Sequence, residues 1–223
     1  MSKFPFDIVL FDLDGTLVDS NLDLGPAINH ALSLEGRDPV PPEETQHLIG
    51  GGGMKMLERA LERTGGIVSP ERFDFLVEKL LEHYWAHIAD NTVPYGGCIA
   101  ALDDLRARGC RLAVCTNKSE GPARQLLDAL DMTRLFDAIY GGDTLGRDRA
   151  KPVPDMLLAA AADCGGGRFA MVGDSSYDTR AAKAAGCPVV FVSFGYNDIP
   201  EDQIERHATI DHYSQLAEAL EKL

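Results

Sequence analysis

The stretch Asp7-Ile8-Val9-Leu10-Phe11-Asp12-Leu13-Asp14-Gly15-Thr16-Leu17-Val18-Asp19 decides how this chain is read. Ile8 to Phe11 is a short apolar run, β-branched and aromatic, ended by Asp-x-Asp-Gly-Thr. It predicts a buried strand whose carboxyl end delivers Asp12 and Asp14 into a crevice, the place where parallel α/β sheets bind ligands. Gly15 permits a sharp backbone departure, and Thr16 adds a hydroxyl. Two acids at the end of a buried strand are costly unless a cation or a reaction uses them.

Downstream of this stretch the periodicity turns helical. Asp23 precedes Leu24, Ala27, Ile28, Ala31 and Leu32 at amphipathic spacing, and Pro39, Pro41 and Pro42 interrupt it. A short helix near Glu43 to Leu48 runs into Gly50 to Gly53. Helical spacing resumes at Met54 and stops at Gly65-Gly66. Ser69-Pro70-Glu71-Arg72 signals the start of a long helix through Tyr84. Nothing from about residue 19 to 91 reads as a strand, so an all-helical insert is expected there, shaped like a cap over a site. From Pro94 onward short apolar runs alternate with helices: Arg111 to Cys115, Ala138 to Tyr140, Phe169 to Val172, Val189 to Val192 and Ala208 to Ile210. Alternation of this kind implies a parallel sheet covered on both faces. The expected fold is α/β, a three-layer Rossmann-like core (1–18 and 92–223) with a helical cap (19–91) inserted after the first strand.

The bulk properties narrow the function. A net charge of −14 opposes binding to nucleic acid or an anionic membrane, which need basic patches. No apolar run approaches membrane-spanning length, and the N-terminus lacks a charged-then-apolar signal layout. The five scattered cysteines, without a C-x-x-C pair, fit reduced thiols in the cytoplasm rather than a disulfide frame or a zinc site. The histidines form no ligand cluster. His83 and His87 share a helix face and are expected in solvent.

Further candidate residues stand at strand ends or just before helices. They are Thr116-Asn117-Lys118, Lys151 in Lys-Pro-x-Pro, and Gly173-Asp174-Ser175-Ser176-Tyr177-Asp178. The Gly50 to Gly53 run lacks the Gly-Lys-Ser/Thr ending and follows a helix, so it is no nucleotide P-loop. It reads instead as a cap loop whose Gly51, Gly52 and Gly53, with Lys55, face the distal end of a substrate. Lys55 and Arg59 read more as surface charges than as site residues, and Lys118 is as readily one.

With these motifs in order along the whole chain, the sequence resembles the haloacid dehalogenase-type phosphohydrolases. Asp-Leu-Asp-Gly-Thr-Leu-Val-Asp-Ser, Thr-Asn-Lys and Val-Ser-Phe-Gly-Tyr look most like its phosphoglycolate phosphatases. The resemblance implies a phosphomonoesterase working through an aspartyl-phosphate. Asp12 would be the nucleophile and Asp14 the general acid and base. Thr116, Asn117 and Lys151 would hold the phosphoryl group. Mg²⁺ would sit on Asp12, Asp174 and the Asp14 backbone carbonyl, with Asp178 behind them orienting Lys151 or a metal-bound water. Two carboxylates sharing a site would raise one pKa, which suits Asp14 to carry a proton. The implied substrate is a small anionic phosphomonoester, 2-phosphoglycolate first, and the implied assembly a monomer or homodimer. A sugar phosphate, nucleotide or pyrophosphate phosphatase and a phosphomutase remain open. So, in another class, does a receiver-like signalling module, although Asp14 would destroy the long-lived phosphoaspartate that a signal needs.

Overall fold

A computed structural model describes residues 4–223; residues 1–3, which open the expected 1–18 core segment, lie outside the described residues. In chain order the elements are β1 (Ile8–Phe11), β2 (Val18–Asp19), α1 (Asn21–Ser33), α2 (Pro42–Thr45), α3 (Gly53–Arg63) and α4 (Pro70–Ala86). Then come β3 (Val93–Pro94), α5 (Cys98–Ala107), β4 (Arg111–Cys115), α6 (Glu120–Ala129), β5 (Ala138–Tyr140) and α7 (Asp155–Asp163). β6 (Phe169–Gly173), α8 (Ser176–Ala185), β7 (Val189–Val192), β8 (Ala208–Ile210) and α9 (Leu216–Glu221) complete the chain.

Six strands form one parallel sheet in the order β5-β4-β1-β6-β7-β8. The first strand lies inside the sheet because both its neighbours return to it: Phe11 pairs with Val114 on one side and Val172 on the other. All four β1 residues are fully buried, which is why the run is continuously apolar rather than alternating. Successive side chains still face opposite ways. Val9 and Phe11 join a core with Leu102, Leu105, Leu216 and Leu220, whereas Ile8 and Leu10 pack on Met156, Leu157, Ala160, Ala181 and Ala182. Helices α5 and α9 thus cover one face and α7 and α8 the other, giving the expected α/β layering.

Residues 20–91 contain helices and turns only. Ser69 caps α4 by accepting a hydrogen bond from Arg72 N, with Pro70 at the first helical position. The helix expected around 43–48 is a single turn, α2. The amphipathic stripe of α3 buries Met56, Leu57, Ala60 and Leu61. The two chain crossings into and out of this segment lie side by side, Val18 pairing with Pro94 and Asp19 with Val93. Asp23, 2 % exposed, ties them together. Its carboxylate accepts from Asn91 N (3.0 Å), Thr92 N (2.8 Å) and the Thr92 hydroxyl (2.6 Å). All five cysteines are free thiols, and among the described residues no helix is long and apolar enough to cross a membrane.

Candidate active site

The carboxyl edge of the sheet assembles the site. Asp12 leaves β1 with its Oδ1 accepting from Leu13 N at 2.7 Å, while its Oδ2 lies 3.0 Å from Lys151 Nζ. Lys151 precedes α7, and its side chain is fully buried. Its ammonium also donates to Asp178 Oδ1 at 2.5 Å. Asp178 sits in the first turn of α8, where its Oδ2 takes the backbone N–H and hydroxyl of Ser175 (3.0 and 2.6 Å). Both Asp178 oxygens are therefore engaged, and the residue positions Lys151. Asp174, just beyond β6, is held by the Thr16 hydroxyl (2.8 Å) and Tyr196 N (2.7 Å). A Cβ on Gly15 would stand 2.3 Å from Asp174 Oδ2, and the backbone there has φ +81°. Only glycine fits between the Asp14 turn and this carboxylate.

Asp12, Asp174 and Asp178 each offer a carboxylate oxygen, and these atoms lie within 4.8 Å of one another. Burial pushes the Asp12 carboxyl up to about 6, with Lys151 working against the rise. Burial, then the charges of Asp178 and Asp12, holds Asp174 well above the ordinary carboxylate range. For Lys151, burial would weaken the ammonium, but Asp12 and Asp178 more than offset it and keep the group above its ordinary value. A dry crowd of oxygen ligands with one lysine among them retains a surplus of negative charge. That donor set suits a hard divalent cation on Asp12 and Asp174.

Asp14 points elsewhere. Its Oδ1 accepts from the Ser20 hydroxyl at 2.7 Å and its Oδ2 from Lys118 Nζ at 2.6 Å. Asp14 therefore has a cation of its own. Lys118 is no surface charge. Its side chain is 8 % exposed, and its ammonium lies 4.5 Å from the centre of the Tyr84 ring on α4. Burial would lower it, but Asp14 and the Tyr84 phenol more than compensate and hold it above the usual lysine range. A lysine after Thr-Asn is equally compatible with solvent, so sequence position alone does not decide where Lys118 lies.

Thr116 follows β4 and is buried, but its N–H is spent on Tyr140 O (3.0 Å), closing the β4–β5 ladder. Its hydroxyl accepts from Lys118 N at 3.2 Å and lines the cavity. The Asn117 amide donates to Lys151 O at 2.9 Å, so this side chain fixes the lysine loop, and the residue lines the cavity. The cavity, about 380 Å³, is floored by Asp12, Asp14, Thr116, Lys118 and Lys151 and roofed by Gly50 to Gly53, Met54, Leu80, Leu81 and Tyr84. The glycine loop lies directly on the core: a Cβ on Gly52 would meet Asn117 O at 3.0 Å, with φ +87°. Lys55 also lines the cavity, but its ammonium is paired with Glu58 and half-exposed. Arg59, expected at the surface, folds inward and donates to Leu48 O, Ile49 O and Gly50 O, bracing the glycine loop. His87 is exposed as expected, whereas His83 is half-buried and stacks between His87 and His30 at ring separations of 4.8 and 4.7 Å. Tyr196, at the end of Val-Ser-Phe-Gly-Tyr, is a site residue whose role its sequence position does not show. Its backbone N–H orients Asp174, and its hydroxyl donates to Asp19 Oδ1 and accepts from Ser20 N and Asn21 N, joining the acid cluster to the start of α1.

A parallel sheet with acids and a buried lysine converging at its carboxyl edge, beneath a helical segment, places the molecule among α/β hydrolytic enzymes of the phosphate-handling kind. The sequence profile of the haloacid dehalogenase-like hydrolases matches residues 9–192, and the chain belongs to that family. It is 40 % identical over 219 residues to a phosphoglycolate phosphatase from Agrobacterium fabrum, covering 97 % of this chain and 93 % of the relative. Another phosphoglycolate phosphatase, from Caulobacter vibrioides, is 37 % identical over 95 % of this chain and 89 % of its own length. Among solved structures, a predicted phosphoglycolate phosphatase from Haemophilus somnus superposes with a TM-score of 0.88 at 29 % identity, over 98 % of both chains. The chain is a phosphatase of the phosphoglycolate phosphatase-like group.

Proposed function

We propose that this enzyme is a Mg²⁺-dependent phosphomonoesterase that hydrolyses 2-phosphoglycolate to glycolate and phosphate through an aspartyl-phosphate. The observation that carries this reading is Asp12, on the floor of a roofed cavity, with Lys151 at 3.0 Å and Asp174 and Asp178 clustered behind it. The names of the curated relatives supply the substrate. In the first step an Asp12 oxygen attacks phosphorus and the ester oxygen departs, taking its proton from Asp14. In the second, a water attacks the phosphoryl group, the P–O bond to Asp12 breaks, and Asp14 accepts the water's proton. Lys151 and the Thr116 hydroxyl steady the phosphoryl oxygens throughout. A bound divalent cation supplies further neutralisation of phosphoryl charge and favours ionised Asp12. Residues 19–91 act as the cap, with Gly51 to Gly53 at its inner surface; the narrow paired crossing at β2 and β3 supports that division. The five free thiols fit a cytoplasmic setting.

The test is phosphate release from a panel of 2-phosphoglycolate, sugar phosphates, nucleotides and pyrophosphate, with Mg²⁺ and with chelator. The expected result is Mg²⁺-dependent release with the highest kcat/KM on 2-phosphoglycolate, abolished in Asp12→Asn. Substantial turnover by pure Asp12→Asn would remove Asp12 as nucleophile. A cavity of about 380 Å³ has room for a longer tail, so a sugar phosphate is the second reading, and a kcat/KM maximum there would replace 2-phosphoglycolate.

A further inference from the structure

The cavity holds a cation that the reaction at Asp12 leaves unused. Lys118 Nζ gives one of its three donors to Asp14 and is enclosed on the other side by Tyr84. Tyr84 comes from α4, on the opposite wall, and is 2 % exposed. Burial pushes its phenol up to about 12, so it carries its proton at neutral pH. Its hydroxyl is buried without a well-aligned hydrogen-bond partner. An orphaned donor of that kind costs roughly as much as a lost hydrogen bond unless something fills the space. An ammonium held by Asp14 and set against the Tyr84 phenol, with a donor still free, beside a hydroxyl whose own proton has no acceptor, in a cavity shared with the nucleophile, is a receptor for an anionic oxygen pair. Leu80, Leu81 and Met56 line the same cavity and add apolar surface.

We propose that Lys118 and Tyr84 form the specificity subsite for a carboxylate on the far end of the substrate. The subsite rests on the phosphatase reading and deepens it: it names an anionic tail, a class that includes 2-phosphoglycolate, as what the enzyme selects. Lys118 comes from the sheet edge and Tyr84 from the helical segment, so a bound carboxylate bridges the two walls. The other guanidinium or ammonium groups of the cavity lie elsewhere: Lys151 sits between Asp12 and Asp178 and serves the phosphoryl group, Lys55 is half-exposed and paired with Glu58, and Arg147 stands at the exposed rim beside Met54.

The experiment compares esters that differ only in the charge of the tail: 2-phosphoglycolate with 2-hydroxyethyl phosphate, and 3-phosphoglycerate with glycerol 1-phosphate. The ratio of kcat/KM within each pair is measured for wild type, Lys118→Met, Tyr84→Phe and Arg147→Ala. A ratio cancels any general damage to the fold or to Asp14. The wild type is expected to favour the charged tail. Lys118→Met should cut that preference roughly tenfold to a hundredfold and Tyr84→Phe roughly fivefold, mostly through KM, with Arg147→Ala unchanged. Calorimetric binding of the same pairs to Asp12→Asn, with and without Lys118→Met, reads the subsite independently of turnover. A wild type indifferent to tail charge, a preference that survives Lys118→Met, or one that moves with Arg147→Ala would overturn the subsite. A charged-tail preference that disappears with Lys118 while 2-phosphoglycolate ranks low in the panel would instead keep the subsite and refute the named substrate.

Discussion

Replacing Lys151 by methionine tests the electrostatic account of the site. The side chain is fully buried, 3.0 Å from Asp12 and 2.5 Å from Asp178, and methionine fills nearly the same space without the charge. Removing one partner of a buried ion pair leaves the others uncompensated, at a cost of about 3–5 kcal/mol. In a chain of this size each kcal/mol moves Tm by about 2–4 °C, so the metal-free variant should melt about 6–20 °C lower. Added Mg²⁺ should recover part of the loss, because the cation compensates the same carboxylates. Activity should fall by roughly 10²–10³ in kcat, the usual effect of deleting one preorganised charge at a reacting centre. The coupling is read from a double-mutant cycle by thermal unfolding and phosphate release. Asp178→Asn, which removes the charge that orients Lys151, should cost much less in the Lys151→Met background than alone. A Tm within about 2 °C of wild type, or strictly additive losses in the cycle, would refute the buried triad.

The acid cluster predicts a pH-dependent response to metal. In the metal-free protein Asp12 is raised to about 6 and Asp174 is also raised, so the native state binds protons that the unfolded chain has lost. Their contribution to stability therefore falls as pH rises from near 4 through 6. The rise in Tm on adding Mg²⁺ should be larger at pH 7 than at pH 5, and Asp174→Ala should remove most of it. An equal rise in the variant would take Asp174 out of the metal site. Asp23 works in the opposite sense. Burial alone would raise it, but hydrogen bonds from Thr92 and Asn91 hold it below the ordinary 3.8, so its stabilisation is present above that value and lost as pH falls through the lower folded value. Asp23→Ala should cost roughly 3 kcal/mol and speed hydrogen exchange at Asn91 and Thr92; unchanged exchange would show that the crossing does not depend on it.

Much of this molecule was legible in one dimension. Ile8 to Phe11 reads as a doubly buried strand because a strand packed on both faces has no polar side to show, and β-branched and aromatic residues fit that environment. The acids and lysine at strand ends are legible for a related reason: carboxylates on a buried frame persist only where charge is used. The helical nature of residues 20–91 follows from the 3.6-residue spacing and the Ser69-Pro70 start.

What tertiary structure alone decided was which charge faces which. Lys118 and Asp14 are 104 residues apart, and nothing local to Thr-Asn-Lys says that its lysine turns inward to meet that carboxylate beneath Tyr84. The same holds for Asn117, whose amide serves the Lys151 backbone, and for Arg59, which braces the glycine loop from within. Sequence reports the energetic preference of a residue type along one element. A buried ion pair is a property of two elements that the fold brings together, and its partners, its depth and its pKa exist only once the sheet and the helices over it have closed on the same few cubic ångströms.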